Sequence, residues 1–294
     1  MIPLAELTVD SVAFRFPHFA LAPISLQARA GELTAIIGPN GSGKSTLLEI
    51  LSGHLKPESG EVSLDGQNLH SLSPRQRARV VGLARQETIL LFSFEVREFV
   101  RQGRHPHLGH SLFESPEDER WVEWALEKTC LQEFARRRVM EMSSGEFQRA
   151  VLARTLAQRP RLVLLDEPTA NLDIGYQVEM FRLLRQLARS ENFVGVVVTH
   201  ELNLAAEMAD YVVLLQGGNS KIARFGKSQA GTICRMNCKG GYTVFDHFLY
   251  IGDVLHPEGK KFPGRQVSDI VDHVAHGRSL ISRGPIISAG VLHP

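Results

Sequence analysis

The order of apolar and polar positions along the chain predicts strands that alternate with helices. Unbroken apolar runs at residues 162–165 (LVLL) and 193–198 (FVGVVV) are typical of strands buried on both faces of a parallel sheet. Between them, residues 177–190 carry apolar side chains at three- and four-residue spacing, which predicts a helix. Another apolar run starts at Tyr211. This alternation predicts an α/β fold whose parallel sheet is covered on both faces.

The first part of the chain has a different pattern. Residues 5–37 alternate and are rich in Val, Ile, Phe and Leu, so they predict short strands. A hairpin is predicted around the turn Asp65-Gly66. Residues 74–86 predict a polar helix followed by a short strand, and residues from about 94 to 140 predict helices.

The composition places the chain among ordinary globular proteins. It has 294 residues, of which 43% are hydrophobic and 22% are charged, and a net charge of +1. One large domain or two modest ones are therefore expected, and the near-neutral charge gives no support for a nucleic-acid partner. Three cysteines, no apolar run of about 20 residues and no signal-like start predict a cytosolic protein. If the protein serves a membrane process, other chains supply the membrane part.

A glycine-rich motif, GPNGSGKST, follows an apolar strand and precedes a helical pattern. This is the context that the phosphate-binding motif G-x-x-x-x-G-K-[ST] requires. Glycines let backbone N–H groups converge on phosphate oxygens, and the following helix adds its N-terminal dipole. Lys44 is predicted to reach the β- and γ-phosphates, and Ser45 to ligate Mg²⁺. The predicted nucleoside triphosphate site comprises Gly38, Pro39, Asn40, Gly41, Ser42, Gly43, Lys44, Ser45 and Thr46.

Acidic and polar side chains close three of the predicted strands. Asp166 is predicted to hold Mg²⁺, and Glu167 to orient or deprotonate the attacking water; the alternative is a strand that ends in two solvated acids. His200 ends the next apolar run and is a predicted γ-phosphate contact, or else a satisfied polar group at a strand end. Gln86 ends a short strand. A single glutamine is not specific for any function, so its assignment to the site rests only on its position between the other motifs along the chain.

The stretch EMSSGEFQRAV, residues 141–151, has the local features of a helix start. Ser143 can cap the helix, and Glu146 sits where a capping box has Glu or Gln. Alone, the stretch is only a capped helix. Whether it is also half of a binding site depends on the rest of the chain.

Taken in order, GPNGSGKST, Gln86, MSSGE, LVLLDEPTANLD and VVTHEL closely resemble the motifs of the ATP-binding subunit of ABC transporters. The resemblance covers about residues 5–218. It implies a P-loop cassette with a RecA-like parallel-sheet core, an N-terminal antiparallel β subdomain and a helical insert at about residues 87–160. It also implies a head-to-tail homodimer that holds ATP and Mg²⁺ between its subunits.

The resemblance assigns roles to the matching residues. Glu167 is implied to be the general base, His200 the switch histidine and Gln86 the Q-loop glutamine. The implied Mg²⁺ ligands are Ser45, Gln86 and Asp166. Residues 170–173 resemble the D-loop that lies between subunits.

One aromatic residue also gains a role from the resemblance. Phe16 falls where the family has an aromatic side chain that stacks on adenine, usually Tyr. The alternatives are a core position for Phe16, or stacking by Phe14 instead.

The helix start at residue 143 is implied to act across the subunit interface. Ser143, Gly145 and Glu146 would bind the γ-phosphate that Lys44 of another subunit holds. Ser144 stands where the family has glycine, and Met142 where it has Leu. A serine would strain a loop with positive φ at this position, whereas it fits a helix easily.

Two further stretches resemble one importer subgroup. FEVREFVRQGRHPHLG and HELNLAAEMAD are similar to segments of cassettes that serve importers of iron–siderophores, haem and cobalamin. This resemblance implies two permease subunits, an external substrate-binding protein and a peripheral position on the cytoplasmic face of the inner membrane. His105 and His107 are expected to contact the permease or solvent, and the alternative for RHPHLG is a plain surface loop. A different transporter class, or a soluble ABC ATPase acting on ribosomes or DNA, is the alternative function.

The end of the chain departs from this pattern. An ATPase domain is expected over residues 1–230, and residues 231–294 form an atypical tail without clear periodicity. The tail is interpreted as an accessory segment or as a departure from the ancestral reading frame. A metal cluster is a third alternative, although its spacing matches no standard zinc site; its residues would be Cys234, Cys238, His247 and His256.

Overall fold

A computed structural model describes residues 5–85, 92–108, 115–170, 172–228 and 231–237, with side chains described up to residue 220. The strands are β1 (Glu6–Phe16), β2 (Phe19–Arg29), β3 (Leu33–Ile37), β4 (Ser59–Leu64), β5 (Gln67–Asn68), β6 (Val81–Ala84), β7 (Leu162–Asp166), β8 (Val194–Val198), β9 (Tyr211–Gln216), β10 (Asn219–Ser228) and β11 (Gly231–Asn237). The α-helices are α1 (Lys44–Leu51), α2 (Pro74–Val80), α3 (Val96–Arg101), α4 (Pro116–Lys128), α5 (Ser144–Ala157), α6 (Ile174–Glu191) and α7 (Leu202–Met208). Short 3-10 helices cover Leu69–Ser71, Gln102–Arg104, Gln132–Phe134 and Val139–Glu141.

The N-terminal sheet is antiparallel, with the strand order β2-β1-β4-β5. The hairpin at Asp65-Gly66 is confirmed, and both residues have positive φ, as a tight two-residue turn requires. The strands predicted over residues 5–37 are confirmed, and β1 and β2 run for 11 residues each. A bulge near Ser11, whose φ is 49°, shifts the register of their pairing.

The larger sheet has the order β11-β10-β9-β3-β8-β7-β6. The strands from β9 to β6 pair in parallel, as their apolar runs predicted. β10 and β11 extend the sheet antiparallel because Gly217 and Gly218, both with positive φ, turn the chain directly back after β9. The backbone therefore continues the sheet past residue 230, where the predicted ATPase domain ended.

The parallel strands separate two hydrophobic cores. In β7, Val163 and Leu165 face the core that includes α5 and α6, whereas Leu162 and Leu164 face the core shared with α1 and the antiparallel sheet. Both faces of each strand are thus buried, which is why their sequences are apolar without alternation. The polar residues that follow these strands all emerge at one edge of the sheet.

The helices α3, α4 and α5 pack together as the predicted insert. Val96, Phe99, Val122 and Leu126 lie in the same core as α5. The described helices of this insert begin at residue 96 and end at residue 157. Within the described ranges, no helix combines the length and hydropathy that a bilayer-crossing segment needs.

The GRHPH motif holds the helices of this insert together. Arg104 is buried, forms an ion pair with Asp118 at 2.9 Å and donates to the carbonyl of Ala157 at 2.7 Å. His107 donates from Nε2 to the carbonyl of Gln158 at 2.8 Å, and burial lowers its pKa. Arg104 is too deeply buried for a plain surface loop, whereas His107 is half-buried and His105 is exposed. The expected contact of these two histidines with a permease or solvent stays a prediction.

Candidate functional site

The glycine-rich loop lies between β3 and α1, at the carboxyl edge of the parallel sheet. Gly38, Gly41 and Gly43 have φ values of 155°, 74° and 101°, which other residues rarely adopt. A Cβ on Gly38 would lie 2.2 Å from the carbonyl oxygen of Leu215 in β9. The glycines are therefore required both for the turns of the loop and for its close packing on the sheet.

Lys44 begins α1 and turns back over the loop. Its Nζ donates to the carbonyls of Gly38 at 2.9 Å and Pro39 at 3.1 Å. Burial lowers the pKa of Lys44, and the carboxylates of Glu167 and Asp166 partly oppose this effect. The loop is thus preformed around an ammonium group that faces the two predicted carboxylates.

Two hydroxyl groups fit a bound triphosphate and its metal ion. The Ser42 hydroxyl is buried and has no hydrogen-bond partner, so a phosphate oxygen would satisfy it. The Ser45 side chain is exposed in the first turn of α1, and Asp166 ends β7. These are hard oxygen donors of the kind that Mg²⁺ uses beside substrate phosphates. Gln86, the third predicted ligand, lies outside the described residues.

Asp166 and Glu167 differ in their surroundings. Burial, followed by the neighbouring Glu167 carboxylate, raises the pKa of Asp166, so a nearby cation would favour its ionised form. Glu167 has a left-handed backbone, with φ at 48°, and its N–H donates to the carbonyl of Val198 in β8. The turn at Glu167 aims its carboxylate across the strand ends.

His200 meets Glu167 directly. Their Nε2 and Oε1 atoms are 2.6 Å apart, although 33 residues of chain separate them. Glu167 follows β7 and His200 follows β8, and these two strands are neighbours in the sheet. The structure therefore brings together Lys44, Asp166, Glu167 and His200 as the sequence predicted.

The predicted adenine contact, Phe16, ends β1 and is 44% exposed, which argues against a core role. Its ring meets the Phe14 ring edge-on, with centroids 4.8 Å apart. Phe19, its partner across the hairpin, lies so close to Gly43 that a Cβ there would be 2.7 Å from the ring. The hairpin that carries Phe16 therefore adjoins the glycine-rich loop.

The helix start at residue 143 is a complete capping box. Ser143 Oγ accepts from the Glu146 N–H at 3.3 Å, and Glu146 Oε2 accepts from the Ser143 N–H at 2.8 Å. Ser144 begins α5 without a positive φ, so its replacement of the family glycine introduces no backbone strain. Gly145 packs beneath Tyr176 of α6, because a Cβ there would lie 2.8 Å from the ring.

Sequence reasoning missed two residues near this site. Tyr176 covers Gly145, and nothing in its local sequence indicates that contact. Gln177 is buried and donates to the carbonyl of Leu172 at 3.1 Å, in the segment that resembles a D-loop. A polar residue on the apolar face of a predicted helix was the available signal for Gln177. Asp173 of the same segment caps α6 by accepting from the Tyr176 N–H.

The metal cluster considered for the tail finds no support where the chain is described. No group of three or more His, Cys, Asp or Glu residues that could hold a metal ion occurs there. The proposed ligands Cys238, His247 and His256 lie outside the described residues, and only the backbone of Cys234 lies within them.

The chain is similar to a family of known proteins. Residues 21–170 match the family model described as ABC transporter. The chain is 39% identical over 198 residues to the cobalamin import ATP-binding protein BtuD of Halobacterium salinarum, covering 67% of this chain and 49% of that protein. This chain thus spans about half the length of that relative.

Two further matches cover a larger share of the matched protein. The hemin import ATP-binding protein HmuV of Escherichia coli O157:H7 is 42% identical over 212 residues, which cover 70% of this chain and 80% of that protein. A solved structure of a metal-chelate type ABC transporter in an inward-facing conformation has a TM-score of 0.67 at 25% identity. It covers 79% of this chain and 97% of the matched one.

Proposed function

The chain belongs to the ABC transporter family, and on that premise we propose that it is the ATP-hydrolysing subunit of an importer. The observation that carries this proposal is the 2.6 Å contact between His200 and Glu167 at the strand ends that face Lys44. A histidine and a carboxylate held together beside a phosphate loop are the parts that water activation needs.

Each side chain has one task in the proposed reaction. Lys44 leaves the carbonyls of its own loop and binds the β- and γ-phosphates of ATP. Ser45 and Asp166 would hold Mg²⁺, which neutralises charge on the transferring phosphoryl group when it is bound. Glu167 accepts the proton of the attacking water, and His200 holds the Glu167 carboxylate in position and faces the γ-phosphate. Phe16 stacks on the adenine ring.

The active unit is proposed to be a homodimer. The capping box leaves the N-terminal N–H groups of α5 and the Ser143 hydroxyl at an exposed helix start, which is a general anion-binding arrangement. Within the described residues, Gly145 lies against Tyr176, and the Glu146 carboxylate contacts Ser143 and Arg137. In a head-to-tail dimer, this helix start completes the phosphate site of the second subunit.

The cargo is proposed to be an iron–siderophore, haem or cobalamin-type compound. The named relatives are import ATP-binding proteins for cobalamin and for hemin, and the matched structure is that of a metal-chelate type ABC transporter. The importer would also contain two permease subunits and an external substrate-binding protein, with this chain bound peripherally at the cytoplasmic face of the membrane. Residues 1–230 would form the working ATPase domain, and residues 231–294 its accessory end.

The Glu167→Gln variant tests the proposed role of Glu167. We expect ATP binding to persist, phosphate release to fall by at least about 100-fold and an ATP-dependent dimer to accumulate in light scattering. Glu179→Gln, an exposed carboxylate on α6, is the matched control and should behave as the wild type. Turnover of Glu167→Gln at the wild-type rate would contradict the assignment.

The cargo class needs a separate experiment. We expect purification with a permease encoded beside this chain, and uptake into vesicles of one of the three compound types with ATP inside. Energised uptake of none of them, together with normal ATP hydrolysis, would instead favour another transporter class.

A further inference from the structure

Gln177 is the polar exception on the buried face of α6. Gln177 is only 8% exposed. The other buried side chains of that helix are apolar; they are Met180, Phe181, Leu184, Leu187 and Ala188. A buried amide lowers stability unless its hydrogen bonds are made, so an aliphatic residue would serve packing at least as well. The amide must therefore be explained by what it contacts.

The Gln177 amide joins two segments of the chain. Its Nε2 lies 3.1 Å from the Leu172 carbonyl and 3.4 Å from the Thr169 carbonyl, both in the segment that follows Glu167. The same nitrogen lies 3.4 Å from Oε1 of Glu201, the residue after His200. One side chain thus bridges the segments that carry both members of the His200–Glu167 pair.

Glu201 is held from two sides. Its N–H donates to the Thr199 hydroxyl at 3.0 Å, which forms a tight turn around His200. Its carboxylate contacts Gln177, although Glu201 occupies the N-cap position of α7 and makes no side-chain cap there. Thr199 is itself fixed by its N–H, which donates to the carbonyl of Ile36 in β3. The backbone of His200 is therefore fixed on both sides, and Gln177 supplies one of the two constraints.

We propose that Gln177 is a positioning residue that holds His200 against Glu167 by fixing Glu201 to the segment after Glu167. This inference rests on the proposed ATPase function. Gln177 contacts neither the predicted phosphate loop nor the reacting carboxylate through any described hydrogen bond. Its effect should therefore appear in turnover and not in nucleotide affinity.

The Gln177→Met variant tests the proposal because methionine keeps most of the volume and loses both N–H donors. We expect kcat for ATP to fall about tenfold, KM to stay within about twofold, and the melting temperature to be unchanged or higher. Met180→Leu, one turn further along the same buried face, is the matched control and should change none of these values. A kcat for Gln177→Met within twofold of the wild type would overturn the proposal.

A second set of variants separates positioning from general packing. Glu201→Ala should reproduce the loss of kcat, and Glu201→Gln, which keeps the side-chain length and one acceptor oxygen, should restore most of it. The double variant Gln177→Met/Glu201→Ala should be no slower than either single variant because both remove one shared contact. Additive losses, or no rescue by Glu201→Gln, would contradict the proposal.

A spectroscopic measurement decides the proposal without turnover. The ring signal of His200, assigned by its loss in His200→Asn, should shift in Gln177→Met and stay in place in Met180→Leu. If the wild type hydrolyses no ATP, the proposed function fails, and the His200 signal alone then decides this inference. An unchanged signal in Gln177→Met would overturn it.

Discussion

Two neighbouring residues at the start of α5 show how one position tolerates change and the next does not. Ser144 stands where the family has glycine, and its helical backbone accommodates a side chain. Gly145 also has a helical backbone, but a Cβ there would lie 2.8 Å from the Tyr176 ring. The requirement for glycine at residue 145 therefore comes from a neighbouring side chain and not from the backbone.

Gly145→Ala should separate stability from activity. Tyr176 is 45% exposed, so its ring can move aside, and alanine favours a helix over glycine by roughly 0.5–1 kcal/mol. We expect the free energy of unfolding to change by less than about 1 kcal/mol, while ATP hydrolysis falls at least about tenfold because the methyl group covers the proposed phosphate contact.

Ser144→Gly is the control for this change and should keep hydrolysis within about twofold of the wild type. Urea unfolding and phosphate release measure the two quantities. Full activity of Gly145→Ala would remove the proposed contact from this surface.

At the scale of elements, three of the described helices, α2, α4 and α5, begin with a serine capping box. Ser73, Ser115 and Ser143 each cap a helix and form a capping box with the residue three positions later. The sequence pattern alone cannot distinguish an N-terminal cap that only stabilises the helix start from one that also binds a ligand. The two uses are separable by substitution because their energies appear in different measurements.

Ser143→Ala and Ser73→Ala make a matched pair. Each should lower the free energy of unfolding by about 1 kcal/mol through loss of the cap. Only Ser143→Ala should also lower ATP hydrolysis, by several-fold, because its hydroxyl is proposed to bind phosphate in the second subunit. Equal hydrolysis by the two variants would leave Ser143 as a cap alone.

The buried pair Arg104–Asp118 predicts a strong effect on stability. The side chains of Arg104 and Asp118 are only 5% and 8% exposed, so Asp118→Asn leaves a buried charge without its partner. This variant should lower the free energy of unfolding in urea by about 3–5 kcal/mol. The exposed pair of Glu6 with Arg29 is the control, and Glu6→Gln should cost less than about 1 kcal/mol. A loss in Asp118→Asn as small as the control would contradict the predicted role.

The same pair predicts the direction of acid sensitivity. Burial raises the pKa of Asp118, but hydrogen bonds from Ser115 and the Arg104 guanidinium outweigh it and leave the pKa below its ordinary value of 3.8. Because the folded pKa is lowered, the stabilisation is present above pH 3.8 and is lost as the pH falls through the folded pKa. Asp118→Asn should therefore show a shallower loss of stability below pH 3.8.

The sequence predicted elements well wherever the signal was local. The apolar strands, the Asp65-Gly66 hairpin and the cap of α5 follow from periodicity and turn chemistry within a few residues. The packing of His107 was missed because its acceptor, the carbonyl of Gln158, is 51 residues away. Gln177 was missed for the same reason: its amide acts through Glu201, 24 residues further along the chain.

The site was predictable to a similar degree. Lys44, Asp166, Glu167 and His200 follow strands whose neighbouring order in a parallel sheet brings their ends together. The 2.6 Å approach of His200 to Glu167 could not be read from the sequence because it depends on the left-handed backbone of Glu167. That conformation is unusual for a glutamate and is set by tertiary packing.

At the scale of the whole molecule, the side chains described up to residue 220 build both hydrophobic cores between Ala5 and Leu215. A chain that ends after residue 237 should therefore keep its cores, its stability and its ATP hydrolysis. The comparison is a chain that ends after Gly218, which removes β10 and uncovers the edge of β9. The shorter chain should aggregate or unfold more easily because an open, apolar edge strand pairs with other chains.

Thermal unfolding and phosphate release of the two truncated chains, made side by side, check this prediction. A large loss in the chain that ends after residue 237 would give the final segment a structural role.

The two hydrogen bonds from Lys44 to the carbonyls of Gly38 and Pro39 have a consequence for which anions the loop binds. A ligand that engages this ammonium group has to outcompete two acceptors that the chain itself holds in place. Free phosphate and nucleoside monophosphates bring one phosphoryl group each, whereas a triphosphate brings three on a single tether, and its first contacts raise the local concentration of the others. The loop therefore selects for the number of phosphoryl groups. Free phosphate and nucleoside monophosphates leave Lys44 bound to its own carbonyls, whereas a nucleoside triphosphate displaces it from them.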